Sequence, residues 1–212
     1  MARIPGPGAG NPRVKPLLPK EMTPSQRLHK NDKLWGAVAE ALVAAYALLS
    51  AGGKLSSYRP FTDVDGKDII IDLAGGFKDI YVQVKCALGT DRNGRIGGLV
   101  RLHRDHVPSS PKFVYIFCLL DRQRMELTRI WVVPSVIFYK RAYRTLLPKG
   151  MIQFNFDYRT RGDDRWDEFE VTRQQLGLCL VTLIKKAARS KKRNAAARQR
   201  EHVAGRWLRL VA

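Results

Sequence analysis

The sequence predicts a single α/β or α+β domain: a central sheet packed by helices, with a basic arm at each end. Three observations predict it. Two long apolar-rich stretches, one near each end, have helical composition and no proline. Between them lie apolar runs of strand length, set apart by Gly, Asn and Pro. Both terminal segments carry many cations, and the first has little apolar content, so they read as arms outside the packed core. With 45% apolar residues in 212, one sizeable core can be built.

Residues 1–30 hold Arg3, Arg13, Lys15, Lys20, Arg27 and Lys30 against Glu21, and read as a disordered or loosely docked Pro/Gly-rich arm. The domain proper is expected over 31–184. It opens with LWGAVAEALVAAYALLSAGG (34–53), a helix closed by Gly52-Gly53. That helix is apolar almost all round, which predicts thorough burial, and Glu40 stands alone among its alanines. A short extended piece follows near LSSYRPF, then a hairpin in GKDIIIDLAGGFKDIYVQVKCA (66–87). Residues 88–111 read as a loop. KFVYIFCLL (112–120) and TRIWVVPSVIF (128–138) read as strands around a polar turn, the second ended by Pro134. YKRAYRTLLPKG reads as a short helix and DEFEVTRQQLGLCLVTLIKKAARS as a long one. Trp131 and Trp166 read as core. The tail, 185–212, carries ten basic residues against Glu201 and reads as a basic helix or tail.

The formal net charge of +19, from 38 basic and 19 acidic residues, points to a polyanionic partner: DNA, RNA or an anionic membrane surface. A ribosome-associated or RNA-packing protein satisfies the charge alone. No unbroken apolar run reaches the ~18 residues of a membrane span, and the N-terminus has no apolar core of a secretory signal. No membrane role is expected. Cys86, Cys118 and Cys179 each lie singly inside an apolar run, without zinc spacing, and read as reduced core thiols of a cytoplasmic protein.

The hairpin raises a chemical question, because a lysine ends its apolar second strand. Alternation puts Ile80, Val82, Val84 and Cys86 on one face, and Asp79, Tyr81, Gln83 and Lys85 on the other. A two-residue turn at Gly75-Gly76 sets Ile70 opposite Tyr81 and Asp68 opposite Gln83, with Lys85 the diagonal neighbour of Asp68. The bland reading of that group is a salt bridge. The functional one is a hydrolytic site: an aspartate and an amide oxygen suit a hard cation, and the lysine can steady an attacking hydroxide or developing phosphoryl charge.

Gly36-x-x-x-Glu40 on a first helix, Asp68 heading a hairpin, then Val82-Gln83-Val84-Lys85, resemble the PD-(D/E)xK nuclease superfamily. The resemblance is narrower still to the branch with Q-x-K in place of E-x-K, which includes some group I intron homing endonucleases. FVYIFCLL followed by IWVVPSVIF is similar to that branch's later strands, so the resemblance covers about 33–140. It implies a restriction-endonuclease-like α/β core: a central mixed sheet flanked by helices. It implies that Asp68 ligates Mg²⁺ (or Mn²⁺), that Gln83 supplies a neutral oxygen where the superfamily has Glu or Asp, and that the Val84 carbonyl is a further ligand. Lys85 would orient the water, and Glu40 would reach the metal or its water shell. Lys67 stands before Asp68 where the superfamily pattern has Pro.

The reaction implied is metal-dependent hydrolysis of phosphodiesters in duplex or branched DNA, in a nucleoid-associated setting. The resemblance admits a homodimer, although no interface is readable. The alternative is a catalytically silent nucleic-acid-binding protein that keeps the fold, and Gln83 is the feature that feeds it. Arg92, Arg95, Arg101 and Arg104, with Lys191, Lys192 and Arg193 of the tail, are the expected nucleic-acid contacts; a solvated loop is their bland reading. Asp72 shares a face with Asp68 and is the reserve ligand. His103 and His106 read as phosphate-contacting or solvated.

Overall fold

The computed structural model describes residues 24–61, 66–76 and 78–189. Residues 1–23 and 190–212, with Lys191, Lys192 and Arg193, lie outside the described residues. The order is α1 (Pro24–Ser50), β1 (Leu55–Tyr58), β2 (Ile69–Leu73), β3 (Asp79–Ala87), β4 (Arg95–His103), β5 (Phe113–Asp121), β6 (Glu126–Pro134), α2 (Ser135–Arg141), β7 (Tyr143–Leu146), β8 (Met151–Arg159) and β9 (Glu170–Val171). A last helix, α3, covers 173–189.

A six-stranded mixed sheet, ordered β1-β2-β3-β5-β6-β9, forms the centre. The β3–β5 pair is parallel and its other pairs are antiparallel. The α/β class with a central mixed sheet flanked by helices is therefore what the chain adopts. One face carries both long helices. Ala39, Val43 and Ala47 of α1 and Leu176, Leu180 and Ile184 of α3 bury against Ile71, Ile80, Val82, Val114 and Ile116.

The opposite face carries a second, three-stranded antiparallel sheet, β4-β8-β7, together with the short α2. Here the core is aromatic: Tyr115, Phe117, Trp131, Phe138, Phe156 and Trp166 interlock, and the Phe117 and Phe156 rings stack with centroids 4.0 Å apart. Trp131 and Trp166, both read as core, are fully buried.

The second sheet is the main departure from the sequence reading. Residues 95–103 were expected to be loop, yet form β4, paired along its length with β8. The Gly97-Gly98 pair hides the alternation, and packing explains Gly98: a Cβ there would lie 2.7 Å from the Phe117 ring. Residues 143–146, read as helical, form β7; 170–171, read as the start of the last helix, form β9 on the edge of the main sheet. Each is a short strand whose identity comes from its partner and not from its own pattern.

Helix α1 begins inside the predicted arm and ends as expected, on Gly52 and Gly53 with φ of +58° and +77°. It is not buried all round. Ala37, Ala41 and Ala45 face outward, and Leu49 is 79% exposed. Alanine exposes so little apolar area that an Ala-rich outer face costs little. Its Asp32–Ser50 stretch is long and apolar enough to cross a membrane by length and composition, which counting unbroken runs missed. In the fold its inner face is the floor of the core.

Candidate active site

The hairpin of β2 and β3 has the register the sequence predicts, with Ile69 opposite Val82, Ile70 opposite Tyr81 and Ile71 opposite Ile80. The turn is different. Gly76 N–H bonds the Leu73 carbonyl (2.9 Å) and Gly75 takes the positive φ, so Ala74 and Gly75 are its central residues. Leu73 N–H then bonds the Lys78 carbonyl (2.9 Å), which makes a four-residue connection. Two- and four-residue loops centred on one point give the same register, so the pairing survives the change of turn.

β2 ends before β3 does. The paired ladder stops at Ile69 and Val82, while β3 continues to Ala87 along its parallel partner β5. Asp68 sits at this step. Its N–H bonds the Val82 carbonyl (2.9 Å), and its carboxylate accepts the Val84 N–H at 2.6 Å, in place of the next backbone acceptor β2 would have supplied. The step leaves an open notch at the end of the sheet.

Helix α1 roofs that notch. Glu40, Asp68, Val84 and Lys85 line one cleft of about 550 Å³, with Asp32, Lys33, Trp35, Gly36 and Cys86. Gly36 and Glu40 are one helical turn apart and share a face. Glu40 is held by the Arg59 guanidinium, which reaches across from the end of β1. Arg59 is thus a charged residue at the site that sequence reasoning missed. Nothing in its local sequence signals it, because only the pairing of β1 on β2 brings it there.

Gln83 is absent from the lining of this cleft. It is 9% exposed and lies against Gly66: a Cβ on Gly66 would sit 2.8 Å from its Nε2. Gly66 has φ +64°, the left-handed conformation that favours glycine. Asp72, the reserve ligand, lies toward the hairpin end opposite Asp79, about 13 Å along the strand from Asp68.

A second cleft, of about 690 Å³, meets the first at Lys85 and Cys86, and is lined by Asp91, Arg95, Gly97, Gly98, Leu99, Tyr143, Asn155 and Asp157 among others. Lys85 therefore stands where two grooves join. Of the expected nucleic-acid contacts, Arg95 lines this second groove and pairs with Asp157 (3.2 Å), and Arg101 is exposed farther along β4. Arg92 is exposed before β4, and Arg104 is exposed after it, 3.7 Å from Asp105.

The groups around the site are electrically distinct. Tyr115, paired with Gln83 across β3–β5, is pushed far up by burial, then by Tyr139 and the Asp68 carboxylate, and stays neutral. Tyr139, whose hydroxyl is 2.6 Å from that of Tyr115, is pushed up to about 12 by burial. Cys86 lies beside Cys118 across the same strand pair. The bond from Cys118 holds the Cys86 thiol below its usual value, while that bond and burial push Cys118 up.

No family model matches the chain, and no curated protein does. Among solved structures it is similar to a bacterial homing endonuclease, I-Ssp6803I, at 15% identity over 76% of this chain and 96% of that one, with a TM-score of 0.48. It is also similar to Archaeoglobus fulgidus Hjc, a Holliday junction resolvase from an archaeal hyperthermophile, at 12% identity over 61% of this chain and 95% of that one, with a TM-score of 0.34.

Proposed function

We propose that this protein is a metal-dependent DNA endonuclease of the PD-(D/E)xK kind, in the Q-x-K branch. The observation that carries the reading is the single cleft lined by Glu40, Asp68, Val84 and Lys85, at a step in the sheet that exposes the end of β3. Two grooves lead to Lys85, and the net charge of +19 suits a polyanion.

The donor set fits a hard cation such as Mg²⁺ or Mn²⁺. It holds oxygen ligands, two carboxylates and a main-chain carbonyl, and among the described residues no His/Cys/Asp/Glu group of three or more could hold a metal by itself. Mg²⁺ is bound in this manner, through one or two carboxylates with water and substrate phosphate completing the shell. Asp68 and the Val84 carbonyl would hold it, with Glu40 reaching its water shell. When bound, the ion would polarise the scissile phosphate and acidify a water.

The chain's own groups do the rest. The Val84 N–H fixes the Asp68 carboxylate in place. Lys85 offers its ammonium to the attacking water and to charge growing on the phosphate. Arg59 orients Glu40 and adds a cation at the cleft's mouth. DNA, duplex or branched, is the substrate in this reading, which carries a cytoplasmic, nucleoid-associated location and a homodimer when both strands are cut.

One observation favours a second reading, a DNA-binding protein that does not cut. Gln83 is neutral and turned onto Gly66, so the cleft lacks the carboxylate the wider superfamily supplies. Incubation of supercoiled plasmid and branched duplexes with Mg²⁺ or Mn²⁺ separates the two. Nicking or linearisation by wild type, abolished by chelation and by Lys85→Ala, is expected. Tight, salt-sensitive binding with no cutting in either metal would replace the first reading with the second.

A further inference from the structure

We propose that the outer face of the three-stranded sheet reads base edges in a DNA groove, with Arg101, Gln153 and Asn155 setting the preferred sequence. The proposal rests on the DNA-directed reading above and deepens it. The register puts Arg95, Gly97, Leu99, Arg101 and His103 of β4 on the face away from the core, opposite Arg159, Asp157, Asn155, Gln153 and Met151 of β8. The alternate residues, Ile96, Val100, Phe154, Phe156 and Tyr158, are buried in the aromatic core.

At the centre of that face, Arg101 Nε donates to Gln153 Oε1 (2.9 Å), and Gln153 Nε2 donates to Asn155 Oδ1 (3.0 Å). This chain uses one of the guanidinium's five N–H donors and orients both amides, with donors left for a ligand. Arg and Asn or Gln are the side chains that bond guanine and adenine edges in pairs. Beside them Leu99 is 51% exposed and Tyr143 is 62% exposed, each opposite Asn155. An apolar group there suits a thymine methyl. A surface that met phosphates alone would be lined with cations throughout, whereas at the centre of this one a single arginine stands among two amides and apolar groups.

Shape and position agree. The nine-residue β4 and β8 strands run roughly 26 Å, and strands of β-ribbons and β-sheets are used to read DNA grooves. Nothing lies within 4 Å of a Cβ built on Gly97, so the strand's surface is open to close approach. The acidic Asp157 is offset by Arg95 at 3.2 Å. The face is continuous with the candidate active site, since Gly97, Leu99, Tyr143 and Asn155 line the groove that ends at Lys85. Duplex seated on this face reaches that lysine.

The test is selection from randomised duplex by the full chain in chelator, where nothing is cut. Wild type is expected to enrich one short sequence. Gln153→Ala/Asn155→Ala should lose preference at adjacent base pairs, roughly tenfold or more per lost paired contact, with affinity for unrelated duplex and its salt slope unchanged. Arg101→Lys, which keeps charge and fold but not the planar fork, should shift the sequence selected. An unchanged sequence in both sets of variants, or no enrichment by a wild type that binds duplex, overturns the proposal. Cutting is scored separately. Face-dependent selection without cleavage in Mg²⁺ would retire the nuclease reading alone, and cleavage without face-dependent selection would retire this proposal alone.

Discussion

Asp68 has two roles that substitution can separate. Its carboxylate accepts the Val84 N–H at 2.6 Å, and Val84 is 7% exposed, so water replaces that acceptor poorly. A hydrogen bond to a charged group contributes about 1.5–3 kcal/mol. Asp68→Ala should therefore cost about 2 kcal/mol and lower Tm by about 4–8 °C in a chain of this size. Asp68→Asn keeps an oxygen for Val84 but loses the charge, which roughly halves the bond's strength, so about 1 kcal/mol is lost. Cleavage divides differently, because a cation needs the charge: both variants should lose on the order of a hundredfold or more in rate. Thermal melts and plasmid cleavage, run on the same preparations, provide the two readouts. Equal melting of wild type and Asp68→Ala would refute the structural role. Full-rate cutting by Asp68→Asn would refute the metal-binding one.

Other expectations follow from packing and charge. A Cβ on Gly177 would lie 2.3 Å from the Ala47 carbonyl, so Gly177→Ala should force α1 and α3 apart and lower stability by about 1–3 kcal/mol, whereas Gly36→Ala, with nothing within 4 Å, should be neutral or gain up to about 1 kcal/mol; melting temperatures moving the same way would refute the contrast. Lys112, 2.5 Å away, holds the Asp79 carboxyl below its ordinary 3.8, so this pair adds stability above that value and loses it as pH falls through the lowered one; Asp79→Asn should be less stable at pH 7 by up to about 1 kcal/mol and approach wild type in acid, once the wild-type carboxyl is protonated. Cys86 lines the cleft with a depressed thiol, whereas Cys118 and Cys179 are pushed up, so iodoacetamide should label Cys86 first by mass spectrometry and bound DNA should slow it; preferential labelling of Cys179 would contradict this.

Local sequence determined much of this protein. Alanine and leucine content with the Gly52-Gly53 stop specifies α1, and strand alternation with a glycine turn specifies the β2–β3 register, because these signals act over neighbours in the chain. The same alternation grouped Asp68 with Lys85, and the structure puts both on one cleft. What needed the tertiary structure depends on contacts distant in sequence. β4, β7 and β9 are strands because β8 and β6 pair with them, Arg59 meets Glu40 because β1 lies on β2, and Gln83 turns to Gly66 because that glycine leaves room for its amide. Side chains reach such partners only after the sheets assemble, and no period in the chain records them.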